Sequence, residues 1–273
     1  MILYPNAKIN IGLNVLEKRE DGFHNLETLF YPVGVVESPS DGLVPQQVVD
    51  VLEIVEAPQL QMHQYGIEYP GDPMDNLCVK AYKALRKDFD IPPVAIYLYK
   101  KIPVGAGLGG GSSDAAFTLR GLNEMFSLGL SDAQLAAYAA TLGSDCAFFI
   151  YNRPMIGTGR GEILEPADIY PLDNYEIRMV YPPYFVSTAA AYGGIVPRNK
   201  RAENGEKFDS RQLVEMLRNP VETWKECVVN DFETTVFAKI PQLAPYKDEL
   251  YAQGAVYASM SGSGSSFFGI FRK

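Results

Sequence analysis

The sequence predicts an α+β protein built as two domains, residues 1–153 and 154–273, on three observations. In "AKINIGLNV", Ile9, Ile11, Leu13 and Val15 alternate with Lys8, Asn10, Gly12 and Asn14, the period of two that marks a strand. The β-branched and aromatic run "VAIYLY" passes through a glycine-serine stretch into a helix marked by Ala115, Leu119, Leu122 and Phe126. From "GTGRGEILEP" onward the texture changes, and strands near 176–181, 256–260 and 266–271 alternate with helices near 209–218, 221–238 and 243–252. A chain of 273 residues accommodates two domains of ordinary size.

The remaining elements follow in order. A turn at Asp21 and Gly22 leads from the first strand into a second. Residues 37–47 read as a loop and 48–56 as a third strand. Cys78, Tyr82, Leu85 and Phe89 mark a helix capped near Asp75. Beyond the glycine stretch, Ser131 and Gln134 form a capping box for a helix over 132–142 that ends on Gly143. The polar segment 196–208 reads as a loop, and "SMSGSGSSFFGIF" as a second glycine-serine turn, between two strands.

The glycine-serine stretch asks for a function. Pro103 and Val104 lead into Gly105, Ala106, Gly107, Leu108, Gly109, Gly110 and Gly111, followed by Ser112 and Ser113: five glycines and two serines between a strand and a helix. Ser112 or Ser113 is expected to cap the helix, and Asp114 suits its positive end. Backbone amides exposed at a helix N-terminus cradle an anion, and phosphate is the anion this arrangement points to. The GxxxxGK[ST] phosphate loop is excluded, because Ser112 stands where its lysine belongs. The dinucleotide fingerprint GxGxxG is present as Gly105, Gly107 and Gly110, but a helical segment follows where a second strand with an acid should stand. A protein-kinase loop lacks its later HRD and DFG elements. A plain tight turn, where two backbones pack, is the bland alternative.

Composition narrows the partners. A net charge of −9 and a pI near 4.9 argue against nucleic acid, so Lys8, Lys100, Lys101 and Arg160 are the candidate local cations for a phosphate. Three scattered cysteines without a CxxC pair suggest a reducing compartment and no structural zinc, and two histidines are too few for a histidine-rich metal site. "MILYPNAKIN" has no basic stretch leading into an apolar core, and no run of about 18 apolar residues occurs, so no membrane association and a cytoplasmic location are expected. Two polar side chains, Lys8 and Asn10, share one face of a strand, and Asp145 enters the apolar run "SDCAFFI". An acid among so much apolar side chain is paired or functional, unless it only caps the next turn.

These pieces together resemble the GHMP small-molecule kinases. "PVGAGLGGGSSDAA" is similar to that group's glycine-serine loop, and "AKINIGLNV", "REDGFHNLETLF", "LGSDCAFF" and "MSGSGSSFF" follow in the family's order over nearly the whole chain. "DGFH" points to the branch that phosphorylates cytidine diphosphate methylerythritol, in the non-mevalonate route to isoprenoid precursors. The resemblance implies a ribosomal-protein-S5-like N-terminal domain, a ferredoxin-like C-terminal domain, ATP under the glycine loop and substrate between the domains. It implies Lys8 and Asp145 as the catalytic pair, and Asn10, Phe23, His24 and Thr188 at the cytidine diphosphate substrate. Asn76 and Leu77 would lie by the adenine, and Mg²⁺ would accompany ATP, its side-chain ligands unassigned. A monomer or homodimer is expected. Phe23 stands where the family has tyrosine, and Cys146-Ala147 where it has Val-Pro.

Physical chemistry fits those roles. Phosphoryl transfer runs through a loose transition state, so positioning and charge neutralisation do most of the catalysis. Asp145 can orient an alcohol and take its proton as the new bond forms. Three other readings stand beside this one: a GHMP kinase for homoserine or mevalonate, which "DGFH" disfavours; a non-catalytic nucleotide sensor, which has no use for both Lys8 and Asp145; and a nicotinamide-dependent oxidoreductase.

Overall fold

The structure, a computed structural model, describes residues 1–34, 49–68, 71–201 and 211–273. The loop expected at 37–47, and residues 202–208 of the one expected over 196–208, lie outside the described residues. In chain order the strands are β1 (Ile2–Leu3), β2 (Ala7–Lys18), β3 (His24–Val33), β4 (Val51–Glu56), β5 (Gln61–Gly66), β6 (Val94–Lys100), β7 (Met155–Gly159), β8 (Ile163–Pro166), β9 (Tyr175–Val180), β10 (Tyr257–Met260) and β11 (Phe267–Arg272). The helices are α1 (Leu77–Arg86), α2 (Gly110–Met125), α3 (Asp132–Ala140), α4 (Cys146–Tyr151), α5 (Thr188–Tyr192), α6 (Arg198–Arg201), α7 (Arg211–Leu217), α8 (Phe232–Lys239) and α9 (Ala244–Ala252).

The chain divides into two compact units that interleave along the sequence. One comprises Met1–Lys8, Pro32–Val104 and Gly109–Arg153, the other Ile9–Tyr31, Gly105–Leu108 and Pro154–Lys273. The chain therefore passes from one unit to the other and back within the glycine stretch itself.

In the first unit a sheet runs in the order β1-β4-β6-β5, with β4 antiparallel and β5 parallel to β6. Leu52, Ile54, Ile96 and Leu98 are fully buried on it, and α2 packs over β4 with Gly121 set against Leu3 and Ile54. Helices α1, α3 and α4 complete the layer around α2. The polar strand β5, "QMHQYG", carried too little hydrophobic alternation to be read from sequence.

The second unit holds the sheets β2-β3-β7-β8 and β10-β11-β9. Its core gathers Leu13, Val15, Leu26, Phe232, Val236, Leu250, Met260 and Phe267. The expected helix over 221–238 is two pieces, a 3-10 turn at Val221–Glu226 and then α8. Asn230 interrupts it: its side chain donates to the carbonyls of Met260 and Gly262 and accepts the amide of Phe232. Those bonds draw the backbone out of the helical pattern. In strand β2 the aliphatic face is buried, and on the other face Lys8, Asn10 and Asn14 are each no more than 3% exposed and meet the polar side chains of Asp145, Thr28 and Glu27.

Candidate active site

In the first unit, Lys8 and Asp145 form an ion pair, with Nζ 3.3 Å from Oδ2. The Lys8 side chain is 4% exposed and that of Asp145 31%, so a buried cation meets a carboxylate that still reaches the surface. Asp145 is the N-cap residue of α4, but its side chain makes no capping hydrogen bond there. The path of Lys8 depends on Gly109. A Cβ there would lie 3.2 Å from Lys8 Cε and 2.9 Å from the Phe149 ring, and the residue has φ +69°. Glycine at 109 thus leaves the lysine stem its channel.

Helix α2 begins at Gly110 with Gly109 as its N-cap and no side-chain cap. The expectation that Ser112 or Ser113 caps it is corrected. Ser112 lies beside the Cys146 thiol instead, and the Ser113 amide donates to the Gly109 carbonyl at 2.9 Å. The leading amides of an α-helix have no partner in the helix, and here the N-cap residue supplies no side-chain acceptor for them. Gly111 shows what the site accommodates. It is exposed, and the nearest protein atom to a Cβ there would be Leu77 Cδ1 at 3.9 Å. Among the described residues no close neighbour requires glycine at 111, whereas a phosphate approaching the backbone would use the space a side chain fills. Leu77 therefore borders the open space over Gly111. Its neighbour Asn76, rather than Asp75, is the N-cap of α1 and accepts the Cys78 amide. Pro103 is half-buried and Val104 exposed on the approach to the loop.

Lys100 does not serve as a phosphate cation in this arrangement. It is 3% exposed, and its ammonium donates to Asp50 and Asp114. Among the described residues no cluster of three or more His, Cys, Asp or Glu side chains could hold a metal.

In the second unit, the loop residues Gly105, Ala106, Gly107 and Leu108 meet the second glycine-serine turn. Ser261 Oγ donates to the Gly107 carbonyl at 3.0 Å and accepts the Asn10 amide at 3.3 Å. The Ser266 amide donates to the Ala106 carbonyl at 3.2 Å. A Cβ on Gly107 would overlap the Ser261 carbonyl oxygen, so this glycine allows two backbones to touch. Asn10 is 2% exposed, and its side chain donates to Thr28 Oγ1 at 3.0 Å.

The "DGFH" turn is as drawn from sequence. Asp21 Oδ1 accepts the Phe23 amide at 3.0 Å, Gly22 has φ +85°, and His24 opens β3. Phe23 is 54% exposed, with the Arg160 guanidinium 5.0 Å from its ring centre. His24 stacks on Tyr192 at 4.8 Å and 22°, and Tyr192 in turn meets Phe232 edge-on at 4.7 Å. Burial, helped by the charge of Lys18, holds the imidazole below its usual value and keeps it neutral at pH 7. Thr188 opens α5, exposed, with its hydroxyl 3.4 Å from that of Ser263.

Sequence reasoning missed Tyr192 and Phe185. Phe185 is 73% exposed and its ring lies against Gly105. An aromatic so exposed carries no periodic signal and is visible only once its neighbours are placed.

The fold and loop are those of a GHMP kinase: the GHMP kinases N terminal domain model matches residues 76–153 and the GHMP kinases C terminal model residues 212–273. Two proteins named 4-diphosphocytidyl-2-C-methyl-D-erythritol kinase are similar throughout. That of Bacteroides fragilis is 49% identical and that of Bacteroides thetaiotaomicron 50%, each over 99% of this chain and 92% of its own. A crystal structure of 4-(cytidine 5'-diphospho)-2C-methyl-D-erythritol kinase superposes with a TM-score of 0.76 at 31% identity, over 99% of this chain and 90% of its own. This chain belongs to the 4-diphosphocytidyl-2-C-methyl-D-erythritol kinase family, and it is a small-molecule kinase that uses ATP.

Proposed function

We propose that the protein transfers the γ-phosphoryl group of MgATP to the 2-hydroxyl of 4-diphosphocytidyl-2-C-methyl-D-erythritol, a step of the non-mevalonate route to isoprenoid precursors. The observation that carries the chemistry is the Lys8–Asp145 pair at 3.3 Å beside the open end of α2. Asp145 orients the acceptor hydroxyl and receives its proton as the oxygen bonds to phosphorus and the bond to ADP breaks. Lys8 holds Asp145 in place and offsets charge on the transferring group. The amides at Gly110, Gly111 and Ser112 bind phosphate oxygens, and Asn76 and Leu77 flank the adenine. Asn10, Phe23, His24 and Thr188 hold the acceptor, with His24 and Phe23 at its cytosine. A neutral imidazole offers one donor and one acceptor to a base edge, which suits this task.

The passage from Arg153 to Pro154 between the compact units supports a division of the chain at residue 153. Among the described residues no helix is long and apolar enough to cross a membrane, and a cytoplasmic monomer or homodimer belongs to the same reading.

A coupled assay of ADP release against a panel of alcohols tests the proposal. Turnover is expected with the cytidine diphosphate acceptor in the presence of Mg²⁺ and not with homoserine, mevalonate or galactose. Equal turnover of any of these would overturn it.

A further inference from the structure

Three charged side chains lie buried together in the unit that carries Lys8 and Asp145. Lys100 ends β6 and is 3% exposed, Asp114 sits in the second turn of α2 at 2%, and Asp50 precedes β4 at 0%. Lys100 Nζ donates to Asp50 Oδ2 and, at 2.8 Å, to Asp114 Oδ2. Asp50 Oδ1 accepts the amides of Lys101 at 2.6 Å and Ile102 at 2.9 Å. One carboxylate thus grips the chain where it leaves β6, and the ammonium links that grip to the helix at the far end of the glycine stretch. Gly110 rests on the same ammonium, since a Cβ there would lie 3.0 Å from Lys100 Nζ.

The charges do not balance if all three groups are ionised. Two carboxylates face one ammonium, and Asp114 Oδ1 is buried with no hydrogen-bond partner among the described residues. Burial pushes the Asp114 carboxyl up to about 8, with the negative charge of Asp50 adding to burial and Lys100 opposing it. Burial works against the charge of Lys100, but Asp114 and Asp50 outweigh it and the ammonium is held charged. Cys78, which faces Asp114 from α1, is kept a neutral thiol, above all by its own burial. Burial thus favours the protonated form of Asp114, whose Oδ1 has no partner to stabilise a charge.

We propose that the Lys100–Asp50–Asp114 cluster positions the phosphate-binding turn of α2, and that Asp114 must be uncharged for the nucleotide to bind tightly. The proposal rests on the reading of Gly111 and the leading amides of α2 as the nucleotide cradle. Its physical content is a sign. An ionised Asp114 would leave the buried cluster with one negative charge in excess, one turn behind the amides that face a polyanion, and it would cancel part of the positive potential of the helix N-terminus.

Calorimetric titration of the whole protein with MgATP, without acceptor so that no turnover intervenes, tests this across pH 6.5–9. For the unaltered protein the Kd is expected to rise several-fold, up to about tenfold per pH unit, once pH passes the Asp114 transition. Asp114→Asn should bind as tightly at pH 7 and lose that dependence. Lys100→Met, which leaves Asp50 without its counter-ion, should weaken binding at every pH, and if it does not fold the Asp114→Asn profile still decides. Parallel pH profiles for the unaltered protein and Asp114→Asn would overturn the proposal while leaving the cradle standing. Absence of MgATP binding at any pH would overturn the cradle and the proposal with it.

Discussion

Gly107 and Ser261 meet backbone to backbone: the Ser261 carbonyl oxygen occupies the place a Cβ on residue 107 would take, and the Ser261 hydroxyl donates to the Gly107 carbonyl. Glycine at 107, with φ +80°, makes room for a second loop. The two glycine-serine segments brace one another, and the glycine facing open space is Gly111.

Gly107→Ala should therefore cost stability as well as nucleotide affinity. The left-handed φ of +80° alone costs a residue with a Cβ about 1–2 kcal/mol, before the overlap with Ser261 is counted. Thermal denaturation should show a loss of roughly 2–4 °C per kcal/mol for a chain of this size. Ser261→Gly should not rescue it, because the overlapping atom belongs to the backbone. An unshifted Tm would mean that the two loops separate at no cost.

Ser261→Ala removes a hydroxyl that bridges the Asn10 amide and the Gly107 carbonyl. The loss of such hydrogen bonds should cost about 0.5–1.5 kcal/mol each in stability, and the loosened loop should raise the KM for ATP a few-fold. Steady-state kinetics that leave the KM for ATP unchanged would show that the first loop holds its shape without the second.

Asp145→Asn should reduce kcat by about 10²–10⁴, the range for a positioned acid–base group, with little change in either KM. Lys8→Met should do comparable damage. The double variant should be scarcely slower than either single one, because groups acting as a unit are not additive. Additive losses, measured in the coupled assay, would separate the two residues into independent roles.

His24→Ala should raise the KM for the acceptor at least about tenfold, equivalent to 1.4 kcal/mol, and leave that for ATP in place. The same loss should not appear with methylerythritol phosphate, which lacks the cytidine, as acceptor. Because burial and Lys18 lower the imidazole pKa, acceptor binding should be flat from pH 8 down to the ordinary histidine range and weaken only below it. The stability sign agrees: an imidazole held neutral in the fold but free to protonate when unfolded makes the fold less stable as pH falls. A KM for the acceptor that improves on acidification would contradict a neutral His24.

Much of this was written locally. The period of two in β2, the Asp21-Gly22 turn, the strand–glycine–helix order around α2 and the capping box of α3 each depend on residues within a few positions of one another. Short-range sterics and hydrogen bonding decide such features, and the family order of the motifs sufficed to name Lys8 and Asp145. Tertiary structure decided what each residue meets. Lys8 and Asn10 stand on a face that alternation marks as polar, yet the fold buries it. Lys100, one more cation near a glycine loop by sequence, is consumed by Asp50 and Asp114, and the helix expected to be capped by serine begins at Gly110 behind a glycine N-cap that has no side chain to offer. A glycine in the sequence records only that a side chain is missing. Whether the space serves Ser261, the stem of Lys8 or a phosphate is settled by which distant segment folding brings against it, because burial and close packing are properties of the assembled chain and not of its local pattern.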